Sequence, residues 1–421
     1  MTESFIIKGQ KPLEGSVRIG GAKNDAGPIL AATLLSKEPF FIDNLPLVED
    51  ALSMIKLLES MGAEIEWLDE RKVKIKTERA DPERMDYSLV GKMRVSVLLI
   101  GPLISRFKKF KIPPPGGDRI GLRPIITHLD ALKKLGLEVF SDGDFYHFNG
   151  ENLKKGSEIV LSEFSVTATE NLMMLASGIE GKTIIKMAAA EPHVQDLGKM
   201  LRNMGAKVEG IGTHTIEIEG KKELKGIAHK IIPDYLEAGT FVVTGAITPG
   251  ILEIKNVVFD YLDSFLRKME EIGVSLERGN DFLKVDFSPD LKPVKLQALP
   301  YPGFPTDLLP IVVPLLTQAK GKSLIHDPLY ENRLNFIHEL RKMGADIEIV
   351  DPHRAFVFGK TQLSGIKISS WDIRAGASLV VASLMAKGKA TIENIYQIDR
   401  GYEKIDEKLR KLGADIKRVS A

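Results

Sequence analysis

The chain has 421 residues, of which 43% are hydrophobic and 27% are charged; this composition is ordinary for a globular protein and excludes wholesale disorder. Its 58 lysines and arginines almost cancel its 57 aspartates and glutamates, so no global field favours nucleic acid or an acidic membrane as a partner. The sequence has no cysteine, which excludes disulfides, thiolate metal sites and a thiol nucleophile.

Length and hydropathy predict a soluble protein of two or three domains, or one large repeat array. The N-terminal stretch MTESFIIKGQKPLEG lacks the basic and apolar regions of a signal peptide. The longest apolar runs, at residues 95–104 and 308–316, fall short of the roughly 20 residues that cross a bilayer. We therefore expect a cytoplasmic protein without membrane insertion.

One short phrase recurs six times along the chain, for example as LRKMGADIEIV ending at Val350. Its apolar residues at helical spacing stop at a glycine suited to the left-handed position after a helix, and alternating strand-like residues follow. Six copies at a period of about 70 residues predict six units of helix, strand, helix and strand, with further short strands, that share a core. The glycines are Gly62, Gly136, Gly205, Gly273, Gly344 and Gly413.

The repeat also accounts for two weak motifs. The segment GIEGKT, at residues 178–183, resembles a phosphate-binding P-loop, but Ala176 stands where the first glycine is required. Gly181, Gly321 and Gly388 occupy one place in their units, and this favours a helix-to-strand turn. Residues 210–212 resemble part of a dinucleotide-binding fingerprint, but they predict a hairpin turn because no helix follows them.

The eight histidines have no ligand spacing, so we expect neither a metal nor another cofactor.

Alignment of the six units shows which polar residues share a structural place. Helix starts favour anions, because they carry unpaired N–H groups and the positive end of the helix dipole. Arginines at several of these starts predict a site for phosphate or carboxylate; the alternative is ordinary surface ion pairs. The first helices begin near Lys23, Arg94, Ser165, Glu237, Asp307 and Arg374, and the second near Asp50, Arg123, Glu191, Asp263, Arg333 and Arg400.

Three segments between the predicted elements are rich in glycine, proline or capping residues. IGGAKN, at residues 19–24, ends an N-terminal strand at a helix start. PPPGGDRIGLRP, at residues 113–124, mixes rigid prolines with permissive glycines, as a mobile loop would, and Asp118 is its only acid. In FPTD, at residues 304–307, Thr306 or Asp307 is expected to cap a helix. Spacing alone leaves all three as ordinary turns or caps.

These segments also carry a resemblance that runs from residue 6 to residue 419. The chain resembles the UDP-N-acetylglucosamine 1-carboxyvinyltransferase family, whose members transfer the enolpyruvyl group of phosphoenolpyruvate to the 3′-hydroxyl of UDP-N-acetylglucosamine and release phosphate, at the first committed step of peptidoglycan synthesis. The motifs, in the family's order, are GGAKN (20–24), MRVS (93–96), PGGDRIGLRP (115–124), FPTD (304–307), YENR (330–333), WDIRAGASLV (371–380) and YQIDRGYEKI (396–405).

The resemblance implies a two-domain inside-out α/β barrel of the enolpyruvyl transferase type, with three repeat units per domain. Residues 1–22 and 233–421 would form the catalytic domain, and residues 23–232 a second domain that carries a mobile loop around Asp118. The site would lie in the cleft between the domains. A monomer is expected, with phosphoenolpyruvate and UDP-N-acetylglucosamine as its partners and no nucleic acid.

The resemblance also implies roles for individual residues. The phosphate or carboxylate of phosphoenolpyruvate would be held by Lys23, Arg123 and Arg400, with Arg333 and Arg374 nearby. Asp307 resembles the base proposed for the 3′-hydroxyl, and Asp372 lies in the family's active site. Glu191 and Glu237 resemble further acidic positions of the cleft. The sugar-nucleotide contacts would be Asn24, Arg94, Ser165, Val166, Asp307 and Leu329.

One residue departs from the family pattern. The loop usually reads GGC, with a cysteine that fosfomycin alkylates, and here it reads GGD with Asp118. A carboxylic acid can still deliver a proton, so we expect Asp118 to be the proton donor and the enzyme to be insensitive to fosfomycin. Two alternatives remain open: 5-enolpyruvylshikimate-3-phosphate synthase, which shares the six-unit fold and chemistry, and a non-catalytic paralogue that binds the UDP-sugar and regulates wall synthesis.

Overall fold

The computed structural model of the protein describes residues 3–117 and 125–420. They form two compact units. Unit 1 contains residues 3–20 and 233–420, and unit 2 contains residues 21–117 and 125–232. The chain passes from one unit to the other after Gly20 and again after Ile232. The first of these divisions lies two residues before the boundary expected from the sequence.

The strands of the described residues are short and evenly spread along the chain. They are β1 (Glu3–Lys8), β2 (Gly15–Arg18), β3 (Phe40–Asp43), β4 (Glu64–Asp69), β5 (Lys72–Lys76), β6 (Lys109–Ile112), β7 (Glu138–Ser141), β8 (Tyr146–Asn149), β9 (Glu158–Val160), β10 (Gly181–Lys186), β11 (Lys207–Glu209), β12 (Thr215–Gly220), β13 (Ala228–Lys230), β14 (Ile251–Lys255), β15 (Ser275–Arg278), β16 (Phe282–Asp286), β17 (Lys295–Gln297), β18 (Gly321–His326), β19 (Asp346–Asp351), β20 (Arg354–Gly359), β21 (Ser364–Ser369), β22 (Lys387–Glu393) and β23 (Asp415–Ser420).

Helices alternate with these strands. The α-helices are α1 (Lys23–Ala32), α2 (Glu49–Ser60), α3 (Tyr87–Val90), α4 (Ile100–Phe107), α5 (Ile126–Lys134), α6 (Val166–Ser177), α7 (Pro192–Asn203), α8 (Tyr235–Ile247), α9 (Asp263–Ile272), α10 (Leu309–Leu316), α11 (Ile337–Lys342), α12 (Ile373–Met385), α13 (Tyr396–Asp399) and α14 (Ile405–Lys411). Short 3₁₀ helices span Thr33–Leu35, Pro82–Arg84, Arg94–Leu99, Phe259–Tyr261 and Thr306–Leu308.

The six repeat glycines behave as the sequence predicts. Each follows the last turn of a helix and has a φ between +88° and +113°. A side chain would be strained in this left-handed region, so glycine is the residue that lets each helix stop and the next strand begin. The predicted hairpin at residues 210–212 is also present, because β11 and β12 pair in antiparallel fashion.

Five four-stranded sheets share one pattern, in which one edge strand is parallel to its neighbour and the other two pairs are antiparallel. The parallel pair requires a crossover connection, which a helix supplies. The sheets run β21-β22-β1-β23, β15-β16-β14-β2 and β17-β18-β20-β19 in unit 1, and β11-β12-β10-β9, β13-β3-β5-β4 and the three-stranded β6-β8-β7 in unit 2.

The core of unit 1 is built around helices rather than around a sheet. All 13 residues of α8 and all eight of α10 are buried, and α12 contacts both helices. Each fully buried leucine or valine there contributes about 1.5–3 kcal/mol. The outer helices are amphipathic instead: α9 buries Phe265, Leu266, Met269 and Ile272 and leaves its opposite face exposed. Unit 2 has buried helices α1, α4 and α6 in the same role.

One local prediction needs correction. The glycines expected to form helix-to-strand turns lie inside the strands that follow: Gly181 opens β10, Gly321 opens β18 and Gly388 is the second residue of β22. All three have positive φ. The turn between helix and strand therefore ends before the glycine. The glycine lies in the first two residues of the strand, where it adopts a positive φ.

Candidate active site

Several of the aligned polar residues lie at helix starts in the structure. Lys23 is the first residue of α1, Arg94 begins a 3₁₀ helix and Arg374 is the second residue of α12. Ser165 caps α6, since its Oγ accepts a hydrogen bond from the backbone N–H of Ala168 at 3.3 Å. Val166 is the first residue of that helix.

Two predictions about helix starts are wrong. Thr306 and Asp307 belong to a 3₁₀ helix that has no side-chain cap, because their side chains are engaged elsewhere. Arg333 stands before α11 and Arg400 before α14, each separated from the helix by several residues. Turns precede α11, and α13 with a further turn precedes α14, so neither arginine stands at the start of a helix. Asp118 and Arg123 lie outside the described residues.

Asp307 is held between two buried arginines. Arg333 Nη2 donates to its Oδ1 at 2.8 Å, and Arg374 Nε donates to its Oδ2 at 3.2 Å. The arginine side chains are 3% and 4% exposed, whereas the carboxylate is 26% exposed. Burial alone would lower the pKa of Arg333, but the carboxylates of Asp307 and Asp372 help to raise it above its usual value. Both cations therefore stay charged, and they hold a carboxyl group that is still accessible.

A wholly buried carboxylate, Asp327, supports this pair, and sequence reasoning did not identify it. Its Oδ1 accepts from the backbone N–H groups of Leu329 at 2.9 Å and Tyr330 at 3.3 Å. Its Oδ2 accepts from Thr306 Oγ1 at 2.5 Å and lies 3.9 Å from Arg333 Nε. Asp327 thereby ties the 3₁₀ helix of Asp307 to the segment that carries Leu329 and Arg333.

Arg374 is fixed from two sides. Asp372 caps α12, and its Oδ1 accepts from the backbone N–H of Arg374 at 2.8 Å. The guanidinium lies over the ring of Tyr402 at 5.2 Å. Burial alone would lower the pKa of Arg374, but Tyr402, Asp307 and Asp234 raise it well above its usual value. Tyr402 also forms a side-chain hydrogen bond with Arg374, so the guanidinium is held in a fixed orientation.

Arg400 directly follows a strongly anchored residue. It is 6% exposed, and its Nη1 donates to Gln397 Oε1 at 3.0 Å. The preceding residue, Asp399, accepts two hydrogen bonds from Arg418, at 2.7 and 2.8 Å. Arg418 also donates to Glu3 at 2.9 Å. This bidentate pair fixes the end of α13 and so fixes the backbone from which Arg400 extends.

In unit 2, Lys23 and Asp50 form an ion pair of 3.0 Å, with side chains that are 17% and 7% exposed. They stand at the starts of α1 and α2, which are the first and second helices of one repeat. Asn24 follows Lys23 and is half-buried. The first and second helix starts of this repeat therefore lie next to each other.

The loop that leads to Asp118 packs against the segment that carries Arg94. A Cβ added to Gly116 would lie 1.9 Å from the carbonyl oxygen of Gly91, and one added to Gly117 would lie 2.6 Å from Arg94 Cβ. Gly117 also has a φ of +119°. No other residue fits so close to the backbone, so the two glycines bring the loop directly onto Arg94.

The two further acids implied by the resemblance are placed as follows. Glu191 is the residue before α7. Glu237 is buried in α8, where Gly20 N–H donates to its Oε2 at 3.3 Å and Lys408 bonds to its Oε1.

Within residues 3–117 and 125–420, no group of His, Asp and Glu has the arrangement of a metal site. No helix in the same ranges is long and apolar enough to cross a membrane.

Comparison with known proteins gives one family. The sequence matches the model of the family described as EPSP synthase (3-phosphoshikimate 1-carboxyvinyltransferase) over residues 7–409. A curated UDP-N-acetylglucosamine 1-carboxyvinyltransferase from Koribacter versatilis is 44% identical over 421 residues, covering 99% of this chain and 96% of that protein. A protein of the same name from Coxiella burnetii is 43% identical over 421 residues, covering 100% of this chain and 96% of its own length.

Solved structures with the same fold include the enolpyruvyl transferase NikO from Streptomyces tendae, with a TM-score of 0.90 and 24% identity; the match covers 100% of this chain and 99% of that chain. EPSP synthase from Acinetobacter baumannii has a TM-score of 0.77 and 19% identity, with 100% of both chains covered. At these identities the likeness concerns the fold alone. It confirms the predicted inside-out α/β architecture.

Proposed function

Since this chain belongs to the UDP-N-acetylglucosamine 1-carboxyvinyltransferase family and is a transferase, we propose that it transfers the enolpyruvyl group of phosphoenolpyruvate to the 3′-hydroxyl of UDP-N-acetylglucosamine. The reaction is an addition followed by an elimination. The hydroxyl oxygen bonds to C2 of phosphoenolpyruvate while C3 gains a proton. C3 then loses a proton, the C2–O bond to phosphate breaks, and inorganic phosphate leaves. In a cell this product would enter peptidoglycan synthesis.

The observation that carries the proposal is the Asp307 carboxylate between Arg333 and Arg374. The two guanidinium groups fix its orientation and leave about a quarter of the side chain accessible. A positioned carboxylate of this kind accepts the proton of the 3′-hydroxyl as the oxygen attacks C2, and general base catalysis contributes about 10²–10⁴ in rate. Asp372 acts indirectly in this scheme, by capping the helix that positions Arg374.

Anion binding is assigned to the cationic residues. Phosphoenolpyruvate carries a carboxylate and a phosphate, both of which arginine and lysine bind with charge-assisted hydrogen bonds. Lys23, Arg123 and Arg400 take these groups in the proposal, and the place of Lys23 at the first residue of α1 supports it because a helix start favours anions. The nucleotide sugar is assigned to Asn24, Arg94, Ser165, Val166, Asp307 and Leu329.

Asp118 is proposed as the acid that delivers the proton to C3. Two features support this role: the chain has no cysteine to serve instead, and Gly116 and Gly117 bring the residues just before Asp118 onto the Arg94 segment. Fosfomycin acts by alkylating a thiolate in the family's loop. A carboxylate in that place is a weaker nucleophile towards the epoxide, so the enzyme is proposed to resist the drug.

The acceptor is tested by measuring phosphate release from phosphoenolpyruvate with UDP-N-acetylglucosamine and, separately, with shikimate 3-phosphate. Release with the nucleotide sugar alone supports the proposal, and release with shikimate 3-phosphate alone overturns it in favour of the sister enzyme. If neither acceptor gives phosphate although the nucleotide sugar binds tightly, the protein is a non-catalytic paralogue.

The role of Asp118 is tested by substitution. Asp118→Asn keeps the size of the side chain but cannot donate an acidic proton, so kcat is expected to fall by about 10²–10⁴. Asp118→Cys is the matched variant: it is expected to retain turnover and to become inactivated by fosfomycin. Near-normal turnover of Asp118→Asn, or covalent inactivation of the wild type by the drug, would refute the assignment.

A further inference from the structure

Asp25, in the first turn of α1, holds the last residue of unit 2 before the chain crosses to unit 1. Its Oδ2 accepts a hydrogen bond from the backbone N–H of Ile232 at 3.1 Å. The carbonyl of Ile232 accepts from the N–H of Ala22 at 2.8 Å. Both backbone groups of Ile232 are therefore bound to the start of α1, within three residues of Lys23 and Asn24 in the sequence.

The second carboxyl oxygen of Asp25 has an unusual neighbour. Asp25 is wholly buried, and its Oδ1 has no donor among the residues that the structure describes. The carboxyl of Asp196 in α7 lies within hydrogen-bonding reach of the Asp25 side chain. Two ionised carboxylates in contact inside a protein repel strongly, whereas one proton between them gives each oxygen a partner.

Asp196 has a second partner besides Asp25. Its Oδ2 lies 2.8 Å from Nε2 of His229, and both side chains are less than a tenth exposed. When His229 donates from Nε2, Asp196 is the acceptor for both of its neighbours, His229 and Asp25. The proton then resides on Asp25, which donates through Oδ1 to Asp196 and still accepts from Ile232 through Oδ2.

We propose that Asp25 and Asp196 share one proton, and that this pair is a positioning element that holds the start of α1, with Lys23 and Asn24, against the segment that ends at Ile232. The proposal rests on the proposed function, which assigns Lys23 and Asn24 to the substrates. Asp25 itself touches neither substrate in this scheme, so its effect on the reaction is indirect.

The charges around Asp25 support a retained proton. Burial is the largest cause that raises its pKa, and Asp196 on α7 and Glu170 on α6 raise it further. The N–H of Ile232 acts in the opposite direction. The pKa therefore lies well above its usual value. As the pH rises through it, Asp25 loses the proton, and the hydrogen bond to Asp196 is replaced by repulsion between two carboxylates.

Asp25→Asn and Asp25→Ala separate the proposal from a simple packing role. Asparagine keeps an acceptor for Ile232 and a donor for Asp196 but does not titrate, whereas alanine removes both. In hydrogen exchange of the substrate-free protein, residues 22 and 232 are expected to exchange about tenfold faster in Asp25→Ala and at the wild-type rate in Asp25→Asn at neutral pH. The exposed Asp144→Asn, also in unit 2, is the control.

Two pH measurements complete the test. A raised pKa in the folded state stabilises the protein below the unfolded pKa of about 4, and that stability is lost as the pH rises through the folded pKa. Relative to Asp25→Asn, the wild type is therefore expected to lose resistance to urea with rising pH. The KM for phosphoenolpyruvate is expected to rise about tenfold in Asp25→Ala with little change in kcat, and to remain normal in Asp25→Asn.

Identical pH profiles for the wild type and Asp25→Asn overturn the shared proton. Unchanged exchange and KM in Asp25→Ala overturn the positioning role. If the wild type releases no phosphate with either acceptor, the proposed function fails, and the exchange and unfolding measurements still decide whether Asp25 holds the proton and the segment.

Discussion

Two repeats in different units carry the same ion pair with the charges exchanged. In unit 2 the first-helix residue is Lys23 and the second-helix residue is Asp50, 3.0 Å apart. In unit 1 the corresponding residues are Asp307 and Arg333, 2.8 Å apart. The first-helix residue is the more exposed member of both pairs, at 17% for Lys23 and 26% for Asp307, while its partner is more deeply buried.

The comparison separates the position of the ion pair, which the repeat determines, from the role of the pair, which the charges of its two members determine. The repeat sets the place of the pair and leaves the first-helix residue accessible. In the proposed reaction the sign of the charge decides the role of the exposed group: the ammonium group of Lys23 would bind an anionic part of the substrate, and the carboxylate of Asp307 would accept a proton from a hydroxyl. The buried partner orients each exposed group. Substitutions that change one ion pair and leave the other intact test this interpretation.

The largest effect is expected at the exposed carboxylate. Asp307→Asn keeps the shape of the side chain and removes its basicity, so kcat for phosphate release should fall by about 10²–10⁴, with a smaller change in KM. Asp290→Asn, at an exposed position of unit 1, is the control and should leave both constants unchanged. Wild-type turnover in Asp307→Asn would show that the carboxylate of this pair is not the base.

A smaller effect is expected at the buried partner in unit 2. Asp50→Asn removes the charge that orients Lys23, and the KM for phosphoenolpyruvate should rise about tenfold with kcat nearly unchanged. Asp50→Glu, which restores the charge, should recover most of the affinity. A fall in kcat with normal KM would mean that Asp50 acts on the chemical step and not through Lys23.

The smallest effect on activity, and a clear one on stability, is expected at Glu170. Burial, and then the neighbouring Glu191, raise the pKa of this buried carboxyl well above its usual value. The folded state thus retains a proton, and its stability falls as the pH rises from about 4.3 through the folded pKa, by at most about 1.4 kcal/mol per pH unit. Glu170→Gln should reduce this slope in urea unfolding between pH 5 and 8, and the contribution of Asp25 should remain. An unchanged slope would show that Glu170 is ionised in the folded protein.

Much of the fold follows from the sequence because the signal is local and repeated. A glycine that ends a helix and the alternating residues after it need no distant partner, and Gly62 and its five equivalents adopt the predicted backbone. The family was likewise identified from contiguous motifs such as GGAKN and WDIRAGASLV. The exact start of each strand was less predictable, as Gly388 shows, because pairing with a neighbouring strand decides it.

The parts that escaped prediction depend on residues far apart in the chain. Capping rules, which are local, assigned Asp307 to a helix cap, but its partners are Arg333 and Arg374, at 26 and 67 positions away. Asp327 belongs to no sequence motif, and its role follows only from its contacts with Thr306 and Arg333 in the folded protein. The contact of Asp25 with Asp196 likewise joins α1 to α7, which no pattern in either segment indicates.

The strand β1 has a consequence for how the protein folds during synthesis. It pairs with both β22 and β23, so residues near the start of the chain complete a sheet made by its last 60 or so residues. The described residues of unit 2, at 21–117 and 125–232, all precede the larger part of unit 1 in the chain, so they can fold once they have left the ribosome. Unit 1 must wait for the final strand, and until then β1 has no sheet to join. A ribosome stalled after residue 232 should therefore display a protease-resistant unit 2 with a cleavable N-terminal strand.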